Sequence, residues 1–290
     1  ILGLFILENF SRKKAQYHTI TKSGFKKKLP INLTGQKSFL AFFFCAAVFF
    51  ISFLFPVLQM LYWTVSFPKH LTDLNFLKLF SNTILLVFLS SIFLISLSFI
   101  SNYGNRVTRS KLLNILTTFS ISGYAIPGII LAVAFITFVS WFDNNIISFF
   151  GIKSFKSIFI GSITGLILVY FIRFYSLASN GIKSGYLKIN YSIDESAYLL
   201  GYSKLKTFTN IHIPYLKNSM FLIGILISIE IIKELPITLI MRPFNFETFA
   251  TTAYIFASQD LLEAAAAPSL FLIIIASFFI LITSRYILRD

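Results

Sequence analysis

Charge is scarce in this 290-residue chain: 12% of its residues are Asp, Glu, Lys or Arg, where soluble domains carry about 25%. Acid is scarcer still, with 11 carboxylates against 25 basic residues and a net charge of +14. A single cysteine, Cys45, excludes an intrachain disulfide and any cysteine-rich metal site. His18, His70 and His212 are scattered, with no pair at metal-ligand spacing. The phosphate-cradling pattern G-x-x-x-x-G-K-S/T is absent, so the chain does not itself hydrolyse ATP.

Apolar residues make up 56% of the chain, 36 of them phenylalanine, and the mean hydropathy is +0.80. They form continuous blocks long enough to cross a bilayer core, which takes about 20 residues. An outer-membrane barrel would instead alternate over segments of about ten residues. The composition therefore predicts an all-α, polytopic transmembrane bundle. Six complete spans are expected near Phe39–Trp63, Phe80–Ile100, Leu116–Trp141, Ile158–Ser176, Tyr215–Ile232 and Pro268–Ile287. Trp63 and Trp141 fall at span ends, where indole rings favour the interface. Ile1–Leu7 has neither a basic leader nor a cleavage site and reads as the end of a helix that begins upstream.

The basic residues orient the bundle. Ser11–Lys37, Asn102–Lys111, Ser179–Lys217 and the tail together carry eighteen Lys and Arg, whereas the alternate loops carry five, namely Lys69, Lys78, Lys153, Lys156 and Arg242. Basic loops stay cytoplasmic, which places both ends of the bundle on the cytoplasmic side of a bacterial inner (plasma) membrane. This distribution around apolar spans explains the net charge without nucleic acid. The expected organisation is a helix stub over 1–10, a basic cytoplasmic linker over 11–38 in contact with lipid headgroups, and a six-span domain over 39–290.

Loop 179–217 is too long for an ordinary helix connection. Ser192 and Glu195 have the spacing of a capping box, predicting a short helix to Leu200 that Gly201 stops in the left-handed conformation. Ser203 can cap a second helix, Lys204 to Ile211, before Pro214 opens the next span. The segment resembles the cytoplasmic loop of type I ABC importer permeases, whose form is E-A-A, three residues, G, nine residues, I-x-L-P. Glu195, Ala197, Gly201, Ile211 and Pro214 match at full spacing, while Ser196 stands for the first alanine and Ile213 for the leucine. The resemblance implies that these residues couple the membrane domain to a cytoplasmic ABC ATPase dimer. That partner would bind ATP and magnesium, and this chain would need no cofactor of its own.

A second constellation closes the fifth span. Glu230, Lys233 and Glu234 would share one helical face, where each charge costs about 2.5–3.5 kcal/mol in hydrocarbon. They must face protein or water, either as an internal ion pair or as the lining of a translocation path or gate, with Pro236 as a hinge. The stretch Lys233–Thr251 resembles ferric-iron importer permeases, which show K-E-L-P and then L-x-x-R-P-F-x-F-x-T-x-A-T. Lys233, Glu234, Leu235, Pro236, Leu239, Arg242, Pro243, Phe244, Phe246, Thr248, Ala250 and Thr251 match.

That family's permease has two homologous six-helix halves, and the resemblance covers this chain as the carboxyl-terminal half. It implies a missing amino-terminal half, a periplasmic ferric-binding protein that delivers the cargo, and Arg242 beside the path. Other small cargoes of the same branch, such as thiamine or phosphonate, use the same machinery. Two rivals from other classes stand beside this reading. A secondary transporter would show broken helices and an inverted repeat. A membrane-embedded enzyme would have only Glu230, Lys233, Glu234 and Arg173 to work with.

Overall fold

The computed structural model describes residues 33–69, 74–108, 110–150 (backbone alone at 146–150) and 159–287. The expected stub over 1–10 and most of the basic linker lie outside the described residues. Among the described residues ten helices can be followed: α1 (Gln36–Ser66), α2 (Phe76–Thr108), α3 (Lys111–Ile121), α4 (Gly128–Phe150), α5 (Ile163–Tyr186), α6 (Tyr191–Leu199), α7 (Lys204–Ile232), α8 (Pro236–Met241), α9 (Phe249–Ser258) and α10 (Leu262–Ile287). Among the described residues there is no strand, and six helices (α1, α2, α4, α5, α7 and α10) are long and apolar enough to cross a membrane. The fold is all-α and polytopic.

The chain divides into two units, residues 1–58 and 59–290. The described part of the first is the opening of α1, an apolar helix with a π turn at Phe50–Leu54. A second π turn lies in α7 at Phe208–His212. Each sits just before a proline, Pro56 in one case and Pro214 in the other. Proline has no N–H for the carbonyl four residues back, and its ring crowds that carbonyl. In both helices the turn holding that carbonyl is widened instead of broken.

In the second unit α5 packs against α2 and α7, and α2 packs against α7. Leu94, Leu166, Tyr170, Phe174, Ile182, Leu216 and Ile227 fill the space between them. Small residues allow the close approach. A Cβ at Gly181 would meet Ile223 Cγ1 at 2.7 Å, and one at Gly185 would meet Leu216 Cδ2 at 2.9 Å. Polar pairs join the same helices: Ser91 and Ser228 hydroxyls lie 3.3 Å apart, and Asn102 Nδ2 donates to Ser179 Oγ at 3.1 Å. Such pairs contribute about 0.6 kcal/mol each, since the separated helices also find partners for these groups.

Three expectations are corrected. Leu116–Trp141 is not one span: α3 ends at Ile121, a 3₁₀ turn covers Ser122–Ala125, and Ile126 is extended at φ −84°, ψ 128°. The residue before a proline disfavours the helical region, and Pro127 follows it. At Gly123 the turn lies so close to α5 that a Cβ would sit 2.1 Å from the Ile172 carbonyl oxygen. The second helix of loop 179–217 does not stop before Pro214 but runs through the π turn into the fifth span as α7. The last span starts at Leu262 and carries Pro268 inside it.

Candidate functional site

α6 is built from local chemistry. Asn190 caps it, its side-chain oxygen accepting from Ser192 N at 3.4 Å. The expected Ser192–Glu195 capping box is therefore not formed: the helix starts at Tyr191, which leaves Ser192 inside it and Glu195 exposed. The stop is as the sequence indicates. Gly201 takes φ +82°, with Tyr202 N donating to Ala197 O and Gly201 N to Tyr198 O, both at 3.0 Å. These two bonds form a Schellman motif, which satisfies carbonyls that the helix end leaves over. Ser203 then caps α7, accepting from Lys206 N at 3.3 Å.

The residues that the sequence matches to an EAA-type loop separate by exposure. Ala197 is buried and Ile211 half-buried, while Glu195, Ser196, Gly201 and Pro214 are exposed. Leu199, Leu200 and Leu205 are exposed to 90%, 78% and 73% beside them.

The opposite side of α6 is anchored by charge. Asp194 is buried, and both its oxygens are taken. Arg106 Nε and Nη2 each approach Oδ2 at 2.7 Å, and His212 Nε2 donates to Oδ1 at 2.6 Å. A carboxylate can only accept, so Nε2 carries the proton. Arg106 lies in the last turn of α2 and also donates to the carbonyls of Ile189 at 3.0 Å and Asn190 at 3.1 Å. Its guanidinium stacks over the Tyr191 ring at 4.2 Å. His212 belongs to the π turn of α7 and is fully buried between the rings of Tyr103 and Tyr186. One turn earlier Phe208 meets Phe99 and Tyr103, at 4.8 and 4.7 Å between ring centroids. Phe99/Tyr103 on α2 thus face Phe208/His212 on α7, each pair spaced four residues apart.

The charges after the fifth span do not share one face, which corrects that expectation. α7 ends at Ile232, so the helical spacing stops before Glu234. Glu230 and Lys233 pair with each other at 2.7 Å, and the lysine is well exposed. Glu234 turns inward to Arg173 of α5, 3.3 Å from Nε to Oε2, and its Oε1 accepts from Ile237 N at 3.4 Å. Arg173 Nη1 also donates to Ile126 O at 3.1 Å, tying the break before α4 to the same cluster. A Cβ at Gly128 would fall 2.9 Å from Arg173 Nη1 and 3.0 Å from Glu234 Oε1. Pro236 opens α8 and lacks only an N–H that the first turn leaves unpaired. Thr238 of α8 bonds the Tyr170 hydroxyl and donates to Glu234 O at 2.7 Å. Arg242 pairs with Glu247, whose Oε2 also accepts from Thr251 Oγ1 at 2.8 Å. Among the described residues no three His, Cys, Asp or Glu side chains converge on a possible metal position.

Solved structures share this fold. The chain superposes on a bacterial alginate ABC transporter, crystallised in complex with an alginate pentasaccharide-bound periplasmic protein. The TM-score is 0.67 at 18% identity, over 85% of this chain and 92% of that one. A bacterial ABC transporter involved in the import of the acidic polysaccharide alginate matches with TM-score 0.65 at 19% identity, over 86% and 94%. This is the permease fold of ABC importers. No protein-family model matches the chain. The Fe(3+)-transport system permease protein FbpB 2 of Haemophilus influenzae is 20% identical over 280 residues, which is 96% of this chain. The chain spans about half, 53%, of the length of that relative.

Within this fold Arg106, Asp194 and His212 escape a reading of the sequence. Arg106 looks like one more basic loop residue, Asp194 like part of a cap, and His212 like a stray histidine. The usable signal is scarcity: with 11 acids in the chain, a carboxylate on the inner face of a short helix needs a cation near it.

Proposed function

We propose that this chain is the membrane-spanning part of a binding-protein-dependent ABC importer in a bacterial plasma membrane. It docks on a cytoplasmic ATPase through the tip of α6 and the turn into α7. Ferric iron, delivered by a periplasmic protein, is its cargo. The observation that carries the docking role is the division of α6 into two faces. Asp194 and Ala197 bind it inward, while Glu195, Ser196, Leu199 and Leu200 are left outward around a Gly201 stop. An apolar tip held by a buried ion network has the form needed to receive a push and pass it on.

The cargo rests on separate support. The fold is shared with alginate importers, so fold alone does not select iron. The name of the Haemophilus relative and the matched residues from Lys233 to Thr251 favour it. In this reading Glu230, Lys233, Glu234 and Arg242 shape the path or its gate, each charge already paired inside the chain. Capture of the metal belongs to the periplasmic partner, and the other half of the pathway to a second six-helix unit.

Two measurements test the reading. The tagged transporter containing this chain should co-purify with an ABC ATPase, and Leu199→Asp should reduce the recovered ATPase at least tenfold. Recovery of no ATPase with the wild type would reject the docking role. Cells lacking the gene should lose ferric iron-55 uptake under iron limitation, and normal uptake would reject the cargo.

A further inference from the structure

A helix that receives force from a partner must be stiffly joined to what it moves. α6 has nine residues, too few to be stable on its own, and only the turns 187–190 and 200–203 join it to α5 and α7. Beyond those turns, buried Ala197 and half-buried Ile193 seat it on the core, and a set of longer-range charged bonds adds to them. Arg106 reaches from the last turn of α2 to Asp194 and to the carbonyls of Ile189 and Asn190, so one guanidinium grips the helix and the chain leading into it. His212 reaches from α7 to the other Asp194 oxygen. The side chains are nearly sealed from solvent, with 7%, 9% and 0% exposure for Arg106, Asp194 and His212. Burial in low dielectric strengthens each contact.

We propose that Arg106, Asp194 and His212 form a clamp that makes α6 one rigid body with the ends of α2 and α7. Displacing α6 then displaces two spans together. Asp194 is the junction, Arg106 the arm to α2 and His212 the arm to α7. The π turn before Pro214 carries the second arm, so the widening forced by that proline lies where the two elements are joined. The clamp rests on the permease reading for its purpose, but its rigidity is a property of the chain itself.

The test uses the whole transporter purified in lipid nanodiscs, with Cys45→Ser and spin labels on cysteines placed at exposed positions. One pair, Ser192 with Thr108, reports the arm to α2. A second, Ser192 with Thr209, reports the arm to α7. In the wild type both distance distributions should be narrow and stay in place when ATP and vanadate are added. Asp194→Asn should roughly double both widths, because the loosened helix samples several positions. His212→Leu should broaden only the Ser192–Thr209 pair. Unchanged widths in Asp194→Asn overturn the clamp, and so does any pattern in His212→Leu other than the single-arm one.

Asp194→Asn leaves Arg106 buried opposite a neutral side chain, so Arg106→Gln/Asp194→Asn is measured beside it. A double variant that assembles with broad distributions supports the clamp. One that assembles with wild-type widths shows the charges serve folding alone, and failure of all these variants to assemble is counted the same way. Both results overturn the proposal. A wild type that purifies without an ATPase while its widths respond as expected would fault the permease reading instead.

Discussion

Asp194 and Glu234 are both buried carboxylates facing an arginine, yet they are held differently. Asp194 has charged or polar donors on both oxygens at 2.6–2.7 Å, and its arginine is itself sealed, with 7% exposure. Glu234 has a looser contact at 3.3 Å to an arginine that is 21% exposed, and its second oxygen accepts a long bond from a backbone amide. Burying a charge is costly in either place, and only close, complete pairing returns the cost. The difference therefore separates a fixed joint from a contact that can be remade. A joint is needed where a partner pushes, and a remakeable contact is compatible with a gate.

Removing the carboxylate should show this contrast most strongly at Asp194. Asp194→Ala strands a buried guanidinium and a buried imidazole N–H at once, and breaking such a pair costs about 3–5 kcal/mol. The apparent melting midpoint of the purified transporter should fall by roughly 10 °C. A shift of only a degree or two would mean that water enters and replaces the lost partner, and the joint would then be no more fixed than Glu234.

Glu234→Gln should have a smaller effect. The amide keeps an acceptor for Ile237 N but gives Arg173 a neutral neighbour, and Arg173 retains the Ile126 carbonyl and partial access to water. The expected loss is about 1–3 kcal/mol, read as a few degrees in the same melting measurement. Ferric iron-55 uptake should change more than the melting point does, because the proposed role is at the path. Equal melting losses in Glu234→Gln and Asp194→Ala would remove the distinction between the two sites.

How far the sequence discloses these sites depends on distance along the chain. The spans are legible because bilayer thickness sets a run length that phenylalanine and aliphatic residues either meet or do not. Gly201 and Ser203 are legible because caps and stops act within four residues. The cap of α6 is misread because Asn190 and Ser192 are both good caps two residues apart, and Arg106, which holds the Asn190 carbonyl and stacks on Tyr191, is distant in sequence. The break at 122–127 is hidden inside an apolar run, where Gly123 and Pro127 carry less weight than hydropathy. The clamp is out of reach for a different reason: Arg106 lies 88 residues from Asp194, and no local pattern joins them. Glu230, Lys233 and Glu234 mislead because their spacing is helical while the helix that would express it ends at Ile232.

That last misreading also gives the smallest expected effect. Lys233 follows the last turn of α7, its side chain 62% exposed, and it pairs with Glu230 at 2.7 Å. An exposed pair three residues apart gains little, since water and salt screen it and a long side chain must be ordered. Lys233→Ala should cost about 0.2–0.5 kcal/mol, within about a degree of the wild-type melting point. Were the pair part of the same buried cluster as Glu234, its loss would be several times larger and would add less than fully to Glu234→Gln in the double variant. Simple addition of the two effects would show that the helix end at Ile232 separates an outer pair from an inner one.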